Sequence, residues 1–237
     1  MKVRIFEVFT SVEGEGILYG TKTLFVRLAG CPFGCFYCDT LEALPADSGT
    51  EYSLEDAMAL VDDSLQKNTF KVNFTGGDPL MQHEAVAEMA RHVQSRGVAT
   101  YLESSCFDSE RFAHVLPHLD YAKIEFKTPD SEFVDLGGHS AAHRSALECL
   151  RNAGRAGTTT YVKVVVSRRT SPQYVGALAD EVFGAVPEGV VSGFVIQPTY
   201  GIEEPSLEAL MEMYDAVYPV YDGVRIVPQM HKYIGAP

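Results

Sequence analysis

Residues 23–40 read TLFVRLAGCPFGCFYCDT and join a strand pattern to a loop that holds three of the chain's five cysteines. The first eight residues are rich in Val, Leu and Phe and predict a buried β-strand. The loop places Cys31, Cys35 and Cys38 in a C-x3-C-x2-C spacing. We therefore expect a site that uses three thiols together at the end of one strand.

Strand patterns alternate with helix patterns along the chain. The β-rich runs are 3–10, 23–30, 70–75, 98–104, 121–126, 159–167, 193–198 and 223–227, and the helix patterns are 53–67, 83–97, 108–116, 139–153, 171–184 and 206–218. Strands joined by helices imply a parallel sheet with right-handed crossovers. The pattern predicts an α/β fold, a partial, open (β/α) barrel with about six to seven strands. A flat doubly wound sheet is the alternative, because the pattern alone does not separate the two.

Two helix patterns predict further detail. Ser53 followed by Asp56 predicts a capping box. In the helix pattern at 206–218, the three- and four-residue spacing of large apolar residues predicts which side chains point inward. These are Leu207, Leu210, Met211, Tyr214 and Val217.

Composition and charge restrict the function classes. Nineteen Lys and Arg against 32 Asp and Glu give a formal net charge of −13. Nucleic acid and anionic membranes require basic surfaces, so we expect neither as a partner and expect a small-molecule substrate. The chain shows no signal-peptide pattern and no apolar run of roughly 20 residues, which predicts a soluble cytoplasmic protein. A length of 237 residues fits one α/β domain as well as two small ones, and since no linker is evident we expect one domain, 1–237.

Polar clusters follow seven of the predicted strands. After the cysteine loop come GGDP (76–79), ESS (103–105), KTPDS (127–131), SRR (167–169), QPT (197–199) and PQMHK (228–232). The carboxyl ends of parallel strands form the edge that carries the active site in barrels and in open α/β sheets. We therefore expect these clusters to line one shared cavity.

The three clustered thiols favour a metal centre, since disulfides are rare in a reducing compartment. Soft thiolates bind iron–sulfur clusters and zinc, and a four-iron cluster held by three cysteines keeps one iron free for another ligand. A zinc site completed by a distant His or Cys, or three reduced thiols, remain alternatives. Cys106 and Cys149 stand alone and are expected to be small buried hydrophobic residues.

The cysteine spacing, with Tyr37 before the last cysteine, resembles the signature of the radical S-adenosylmethionine (SAM) superfamily. The resemblance implies a partial (β/α) barrel in which Cys31, Cys35 and Cys38 hold a [4Fe–4S] cluster and SAM chelates the open iron. An electron from the cluster would cleave SAM to methionine and a radical that abstracts a substrate hydrogen. TGGDPL (75–80) resembles the glycine-rich motif of the superfamily. The SAM-contacting residues implied are Tyr37, Asp39, Gly76, Gly77, Asp78, Glu103, Ser105, Lys127 and Gln197.

Four features resemble one family within the superfamily, the 7-carboxy-7-deazaguanine synthases. They are FTSVEGEG (9–16), the extension of the cysteine motif to Asp39 and Thr40, Arg27, and VPQMHKYIGAP (227–237). The resemblance is most specific in EGEG, in CPFGCFYCDT and in the C-terminal tail. The resemblance implies a ring contraction of 6-carboxy-5,6,7,8-tetrahydropterin to 7-carboxy-7-deazaguanine with loss of ammonia, in queuosine or archaeosine biosynthesis. It also implies Mg²⁺ near Thr40, whose hydroxyl is a hard oxygen ligand. The substrate-binding residues implied are Val12, Glu13, Gly14, Glu15, Arg27, Thr75, Gln229, His231 and Pro237.

The resemblance assigns roles to these positions. Arg27 would take the substrate carboxylate as a two-bond fork. Glu13 and Glu15 would read the amino-pyrimidine edge, and the free carboxylate of Pro237 would add an acceptor. Residues from about 1–22 and from about 226–237 would form substrate-binding extensions at the two ends of the domain.

The chain departs from the family pattern at three places. Glu13 stands where the family has Gln and offers acceptors only, Asp78 stands for Glu, and Ser104-Ser105 stands for Asn-Gly. Lys127 would either contact SAM or neutralise one of two nearby acids, Glu125 or Asp130.

Two other functions compete with this one. An activase of a glycyl-radical enzyme also uses C-x3-C-x2-C, but it would need a protein partner and would not need Arg27 or the C-terminal QMHK. A zinc-stabilised binding module would carry zinc and ignore SAM. For the synthase, the resemblance implies a homodimer and a flavodoxin or ferredoxin as electron donor.

Overall fold

One nine-stranded sheet carries the fold in the computed structural model, which describes residues 1–131 and 138–236. The strand order is β3-β1-β2-β4-β5-β6-β7-β8-β9. β1 is antiparallel to β2 and β3, and every other pairing is parallel. The strands are β1 Lys2–Val12, β2 Lys22–Leu28, β3 Thr50–Ser53, β4 Lys71–Gly76, β5 Ala99–Ser104, β6 Tyr121–Phe126, β7 Thr159–Val166, β8 Val191–Pro198 and β9 Val224–Ile226.

Helices connect the parallel strands. They are α1 Leu54–Ser64, α2 His83–Ser95, α3 Ser109–Val115, α4 Gly138–Ala156, α5 Pro172–Ala185, α6 Leu207–Val217 and α7 Met230–Ile234. The buried faces of α1 to α6 and the outer face of the sheet share one large apolar core, which includes Val26, Phe74, Ile124 and Leu150. The short helix α7 follows the last strand and has no buried residue. None of the described helices is long and apolar enough to cross a membrane.

The strand order distinguishes the barrel from the flat sheet. From β2 onward the parallel strands follow one another in a single direction, whereas a doubly wound sheet reverses direction at a switch point. Right-handed crossovers in one direction put the helices on one face, so the sheet curves around its other face. The sheet is not closed, because β3 and β9 are its two edges. The prediction of a partial, open barrel is confirmed.

The predicted strands and helices are confirmed in part and corrected in part. Seven parallel strands agree with the predicted number, but the four-residue strand β3 was not predicted, because it is too short to show a pattern. Ser53 caps α1 as predicted, accepting a hydrogen bond from Asp56 N–H at 3.1 Å. The predicted inward face of α6 is wrong in part. Leu207 is 73% exposed and Met211 is 47% exposed, and Met213 is fully buried instead.

The inner face of the sheet is polar near the carboxyl ends of the strands and of mixed character below them, where aromatic and aliphatic side chains pack beside the fully buried Lys71. Tyr101, Tyr161, Val195 and Val227 form a small buried cluster there, and the 3-10 helix Gly16–Leu18 packs against it. This cluster forms the floor of the barrel, and the polar groups above it face a cavity.

Candidate active site

A cavity of about 520 Å³ opens at the carboxyl ends of the parallel strands. The structure brings every predicted site residue that it describes to the wall of this one cavity, while Pro237 lies outside the described residues. These are Val12, Glu13, Gly14, Glu15, Arg27, Cys31, Cys35, Tyr37, Cys38, Asp39, Thr40, Thr75, Gly76, Gly77, Asp78, Glu103, Ser105, Lys127, Gln197, Gln229 and His231. Six of the seven strand-end clusters thus contribute to one shared cavity, as expected, while the expectation is wrong for SRR (167–169), which does not line it.

The cysteine loop is fixed by its own backbone and by the glycine-rich turn after β4. Cys38 N–H donates to Cys35 O at 3.0 Å, and Asp78 N–H donates to Gly30 O at 2.8 Å. A Cβ at Gly77 would lie 2.3 Å from Gly30 O, so only glycine permits this approach. The turn and the loop therefore form one wall of the cavity.

The three thiols fit an iron–sulfur cluster. Cys31, Cys35 and Cys38 all line the cavity and none forms a disulfide. Burial, reinforced by the charge of Asp78, raises the pKa of the Cys31 thiol to about 12, so a thiolate there requires adjacent cations. No three His, Cys, Asp or Glu side chains in the described residues are placed to hold a single metal ion. A cluster does not need that convergence, because each thiolate binds a different iron.

Asp78 is bound by the protein's own donors. It is 2% exposed and accepts hydrogen bonds from Ser104 Oγ at 2.9 Å, from Ser105 N–H at 2.9 Å and from Ser105 Oγ at 2.6 Å. Burial raises the pKa of Asp78, and the bonds from Ser105 oppose that rise. Two departures from the family pattern, Asp78 and Ser104-Ser105, are thus in direct contact.

Gln197 and Lys127 lie at the ends of β8 and β6. Gln197 is 3% exposed and its Oε1 has no hydrogen-bond partner among the described residues, so a ligand N–H would satisfy it. Lys127 Nζ pairs with Glu125 and lies 5.5 Å from the ring centre of Tyr37. Of the two acids considered for Lys127, the structure shows the pair with Glu125, while Asp130 accepts a hydrogen bond from Ser167 instead. These features fit a bound SAM molecule.

Glu13 is buried beneath the cavity. Its Oε2 accepts hydrogen bonds from Lys71 Nζ at 3.0 Å and from Asn73 Nδ2 at 3.2 Å. Burial, reinforced by Glu103 and opposed by Lys71, raises the pKa of Glu13 to about 7. Near neutral pH the ionised and the protonated form of Glu13 are therefore both present, and only the ionised form offers acceptors alone, as expected from the sequence.

Glu15 belongs to a second buried network. Lys163 Nζ donates to Glu15 Oε2 at 2.7 Å, and Gln229 Nε2 donates to Glu15 Oε1 at 2.9 Å. Burial alone would raise the pKa of Glu15, but Lys163 and Lys123 lower it to about 2. Glu125 lies within 3.3 Å of Lys163 and joins the same network.

Arg27 faces the cavity from β2. Its Nε pairs with Glu7 Oε1 at 2.7 Å, and its side chain is 18% exposed. Phe9 and Phe25 stack beside it, with ring centres 4.9 Å apart, and Arg27 lies 5.8 Å from the Phe9 ring centre. The pair with Glu7 leaves the terminal nitrogens of Arg27 available to a ligand.

The C-terminal segment closes one side of the cavity through Asp39. Gln229 Nε2 and Lys232 Nζ each lie 3.1 Å from Asp39 Oδ2, and the Thr40 hydroxyl donates to Asp39 Oδ1 at 3.1 Å. Burial lowers the pKa of His231, which favours the neutral imidazole. The tail is therefore connected directly to the cysteine loop.

Sequence reasoning missed the lysines of the barrel interior. Lys71 is fully buried behind Glu13, and Lys123 and Lys163 line the cavity. The sequence contained an indication of them, because charged residues occupy alternate positions along β6 and just after it. These are Lys123, Glu125 and Lys127, and alternate residues of a strand lie on one face. Lys71 and Asn73 show the same alternation on β4.

Comparison with known proteins identifies the class and then the family. The family model described as "Radical SAM superfamily" matches residues 26–182, which is more than half of the chain. The fold and the three thiols at its cavity are thus those of a radical SAM protein. A 7-carboxy-7-deazaguanine synthase from Methanothermobacter thermautotrophicus is 30% identical over 99% of this chain and 98% of its own length.

A second relative with that name, from Archaeoglobus fulgidus, is 31% identical, with 99% of each chain covered. The crystal structure of QueE from Escherichia coli has a TM-score of 0.69 at 20% identity, covers 98% of this chain and 95% of its own, and shows the shared fold. The chain belongs to the 7-carboxy-7-deazaguanine synthase family, and the activase and zinc-module alternatives are set aside.

Proposed function

We propose that the protein converts 6-carboxy-5,6,7,8-tetrahydropterin to 7-carboxy-7-deazaguanine with loss of ammonia, as a lyase of 7-deazapurine biosynthesis. The observation that carries the proposal is one cavity in which three thiols face an arginine, the buried Glu13 and the partly buried Glu15. The thiols suit the superfamily's cluster, and the other groups complement the two ends of a carboxylated pterin.

The cofactors follow from the family. Cys31, Cys35 and Cys38 would hold the [4Fe–4S] cluster, and the cluster with SAM would supply the radical that removes a substrate hydrogen atom. The bare backbone at Gly76 and Gly77 offers acceptors to an ammonium group, and the unpaired Gln197 Oε1 accepts an N–H.

The charges at the cavity wall orient the substrate. Arg27 takes the substrate carboxylate through the nitrogens that Glu7 leaves free, and the stacked Phe9 and Phe25 supply an apolar surface beside it. Glu13 and Glu15 accept hydrogen bonds from the amino-pyrimidine edge. Thr75, Val12, Gly14, Gln229 and His231 line the remaining wall, and the carboxylate of Pro237 is proposed as a further acceptor.

A magnesium ion would bind beside Thr40. The Thr40 hydroxyl and the Asp39 carboxylate are hard oxygen groups within 3.1 Å of each other at the cavity wall. Burial and Glu15 act to raise the pKa of Asp39, but Lys232 and the hydrogen bonds it receives lower it overall, so the group is an anion. A substrate carboxylate would complete the oxygen ligands.

Partners and organisation form part of the proposal. The electron donor is a flavodoxin or ferredoxin, and two copies of the chain form a homodimer. The chain acts as one domain, 1–237, in which residues of about 1–22 and of about 226–237 contact substrate. Cytoplasmic location stays a prediction.

One anaerobic incubation tests the reaction. Reconstituted protein is mixed with SAM, a reductant, Mg²⁺ and 6-carboxytetrahydropterin, and the products are identified by mass spectrometry. We expect 7-carboxy-7-deazaguanine and ammonia. Formation of 5′-deoxyadenosine without the deazaguanine would keep the radical chemistry and overturn the substrate.

A further inference from the structure

We propose that Lys71 is a positioning residue for substrate recognition, which holds one oxygen of Glu13 and so aims the other at the amino-pyrimidine edge of the pterin. This inference rests on the proposed function, because it concerns the same cavity and the same substrate. Lys71 itself does not line the cavity, so it acts only through Glu13.

The geometry assigns one oxygen of Glu13 to the protein and the other to the cavity. Oε2 accepts hydrogen bonds from Lys71 Nζ at 3.0 Å and from Asn73 Nδ2 at 3.2 Å. No hydrogen bond to Oε1 is seen among the described residues, and Glu13 lines the cavity. A carboxylate held through one oxygen presents the second as an acceptor with a fixed direction, which suits the N–H groups of an aminopyrimidine.

Lys71 lies inside the barrel and is not exposed to solvent. Its side chain is fully buried, and its three donors go to Glu13, to Thr23 Oγ1 at 2.6 Å and to Thr21 Oγ1 at 3.1 Å. An ammonium group with all donors satisfied has little freedom to move. Thr21 and Thr23 therefore fix Lys71, and Lys71 fixes Glu13.

Among the surrounding charges, Lys71 is the group that favours the ionised form of Glu13. The titratable groups that act on or face Glu13 come from β4, β5, β7 and its own segment, and are Lys71, Glu103, Glu15, Tyr101 and Tyr161. Burial and the carboxylates Glu103 and Glu15 favour the neutral acid, and among these groups Lys71 alone favours the anion. Removal of Lys71 would leave Glu13 protonated over a wider pH range, which weakens its acceptor character.

Lys71→Met, Glu13→Gln and the double variant test the inference in the reconstituted enzyme with 6-carboxytetrahydropterin. In Lys71→Met we expect the substrate KM at pH 7 to rise roughly tenfold or more, since the anchored acceptor is lost. In the pH profile of kcat/KM, the acidic limb, where the value falls as the pH is lowered, should move to higher pH. In the Glu13→Gln background the limb should disappear, and adding Lys71→Met should change KM less than about threefold, because the two residues act as one unit. Lys22→Met, whose ammonium donates to Lys67 O on the surface, is the matched control.

Pterin binding distinguishes failure of this inference from failure of the proposed reaction, and the double variant distinguishes a role in recognition from a role in folding. Equilibrium binding of 6-carboxytetrahydropterin to the wild type comes first, and absence of binding overturns the substrate itself. If the wild type binds and Lys71→Met binds equally tightly with an unshifted pH profile, Lys71 has no role in recognition. If the double variant is as impaired relative to Glu13→Gln as Lys71→Met is to the wild type, Lys71 supports the fold alone and the inference is wrong.

Discussion

At the scale of single residues, the function of the site depends on thiols that differ sharply from the chain's other cysteines. Cys31, Cys35 and Cys38 line the cavity, whereas Cys149 is fully buried in the apolar core, with its Sγ 3.7 Å from Cys106 O. Cysteine side chains thus line the cavity at three positions and pack in the apolar core at another, and substitutions distinguish the two roles.

We expect Cys31→Ala, Cys35→Ala and Cys38→Ala each to abolish SAM cleavage, because an iron that loses its thiolate destabilises the cluster. Iron content and 5′-deoxyadenosine formation measure the effect. Cys149→Ala is the control and should retain both. Cleavage at the wild-type rate in any of the three variants would contradict the cluster assignment.

Arg27→Ala should raise the KM for the pterin by about tenfold or more, through loss of charge-assisted hydrogen bonds to the substrate carboxylate. Slow SAM cleavage without product should persist, because the cysteine loop is untouched. Glu7, the present partner of Arg27, is 42% exposed and remains solvated, so the fold should survive. Arg4→Ala, which removes a surface pair with Glu51, provides the comparison. Unchanged pterin kinetics would mean that the substrate lies in another orientation.

At the scale of elements, the two ends of the chain meet at the cavity. Met230 N–H, at the start of α7, donates to Gly14 O at 2.8 Å, just beyond the end of β1. A Cβ at Gly14 would lie 2.3 Å from His231 Nδ1, so the close contact between these segments requires glycine. The position of the tail is therefore set by the absence of a single side chain.

Gly14→Ala should displace α7 and raise the pterin KM, by up to about 100-fold if the site shifts by about 1 Å. Iron content should stay at the wild-type level, since the three thiols lie on a different segment of the chain from Gly14. Gly184→Ala is a matched control, because a Cβ there meets nothing within 4 Å. Equal pterin kinetics for the two variants would show that the tail does not shape the site.

Sequence patterns predicted the longer strands and helices and the strand-end polar clusters, because these are local properties of the chain. The short elements β3 and α7 were not predicted, since four or five residues are too few to show a period. The ion pairs of the barrel interior were not predicted, since they depend on which strands are neighbours. Glu125 faces Lys163 only because β6 pairs with β7 in that register. The same holds for Glu13 and Lys71, which are 58 residues apart in sequence. Alternation identifies the inward face of a strand, but the partner across the barrel follows from the fold alone.

At the scale of the whole molecule, the buried network around Glu15 joins parts of the chain that are distant in sequence. Glu15 follows β1, Lys163 lies on β7, and Gln229 immediately precedes α7. A buried carboxylate paired in this way contributes to the stability of the entire fold, and its removal leaves a buried cation with less compensation.

The pH dependence of stability should reveal this contribution. Glu15 has a folded pKa of about 2, below its ordinary value of 4.5, so its stabilisation is complete above pH 4.5 and is lost as the pH falls towards 2. At pH 7 we expect Glu15→Gln to lower the free energy of unfolding by roughly 2 to 3 kcal/mol, which corresponds to a Tm lower by about 5 to 10 °C. Near pH 2 the Tm values of variant and wild type should converge, because the wild-type carboxyl is then protonated. Thermal unfolding of the cluster-free protein across this pH range measures both.

Glu51→Gln, which removes an exposed acid, should change Tm little at either pH. A Tm difference between Glu15→Gln and wild type that is independent of pH would mean that packing, rather than the charge of Glu15, ties the network together.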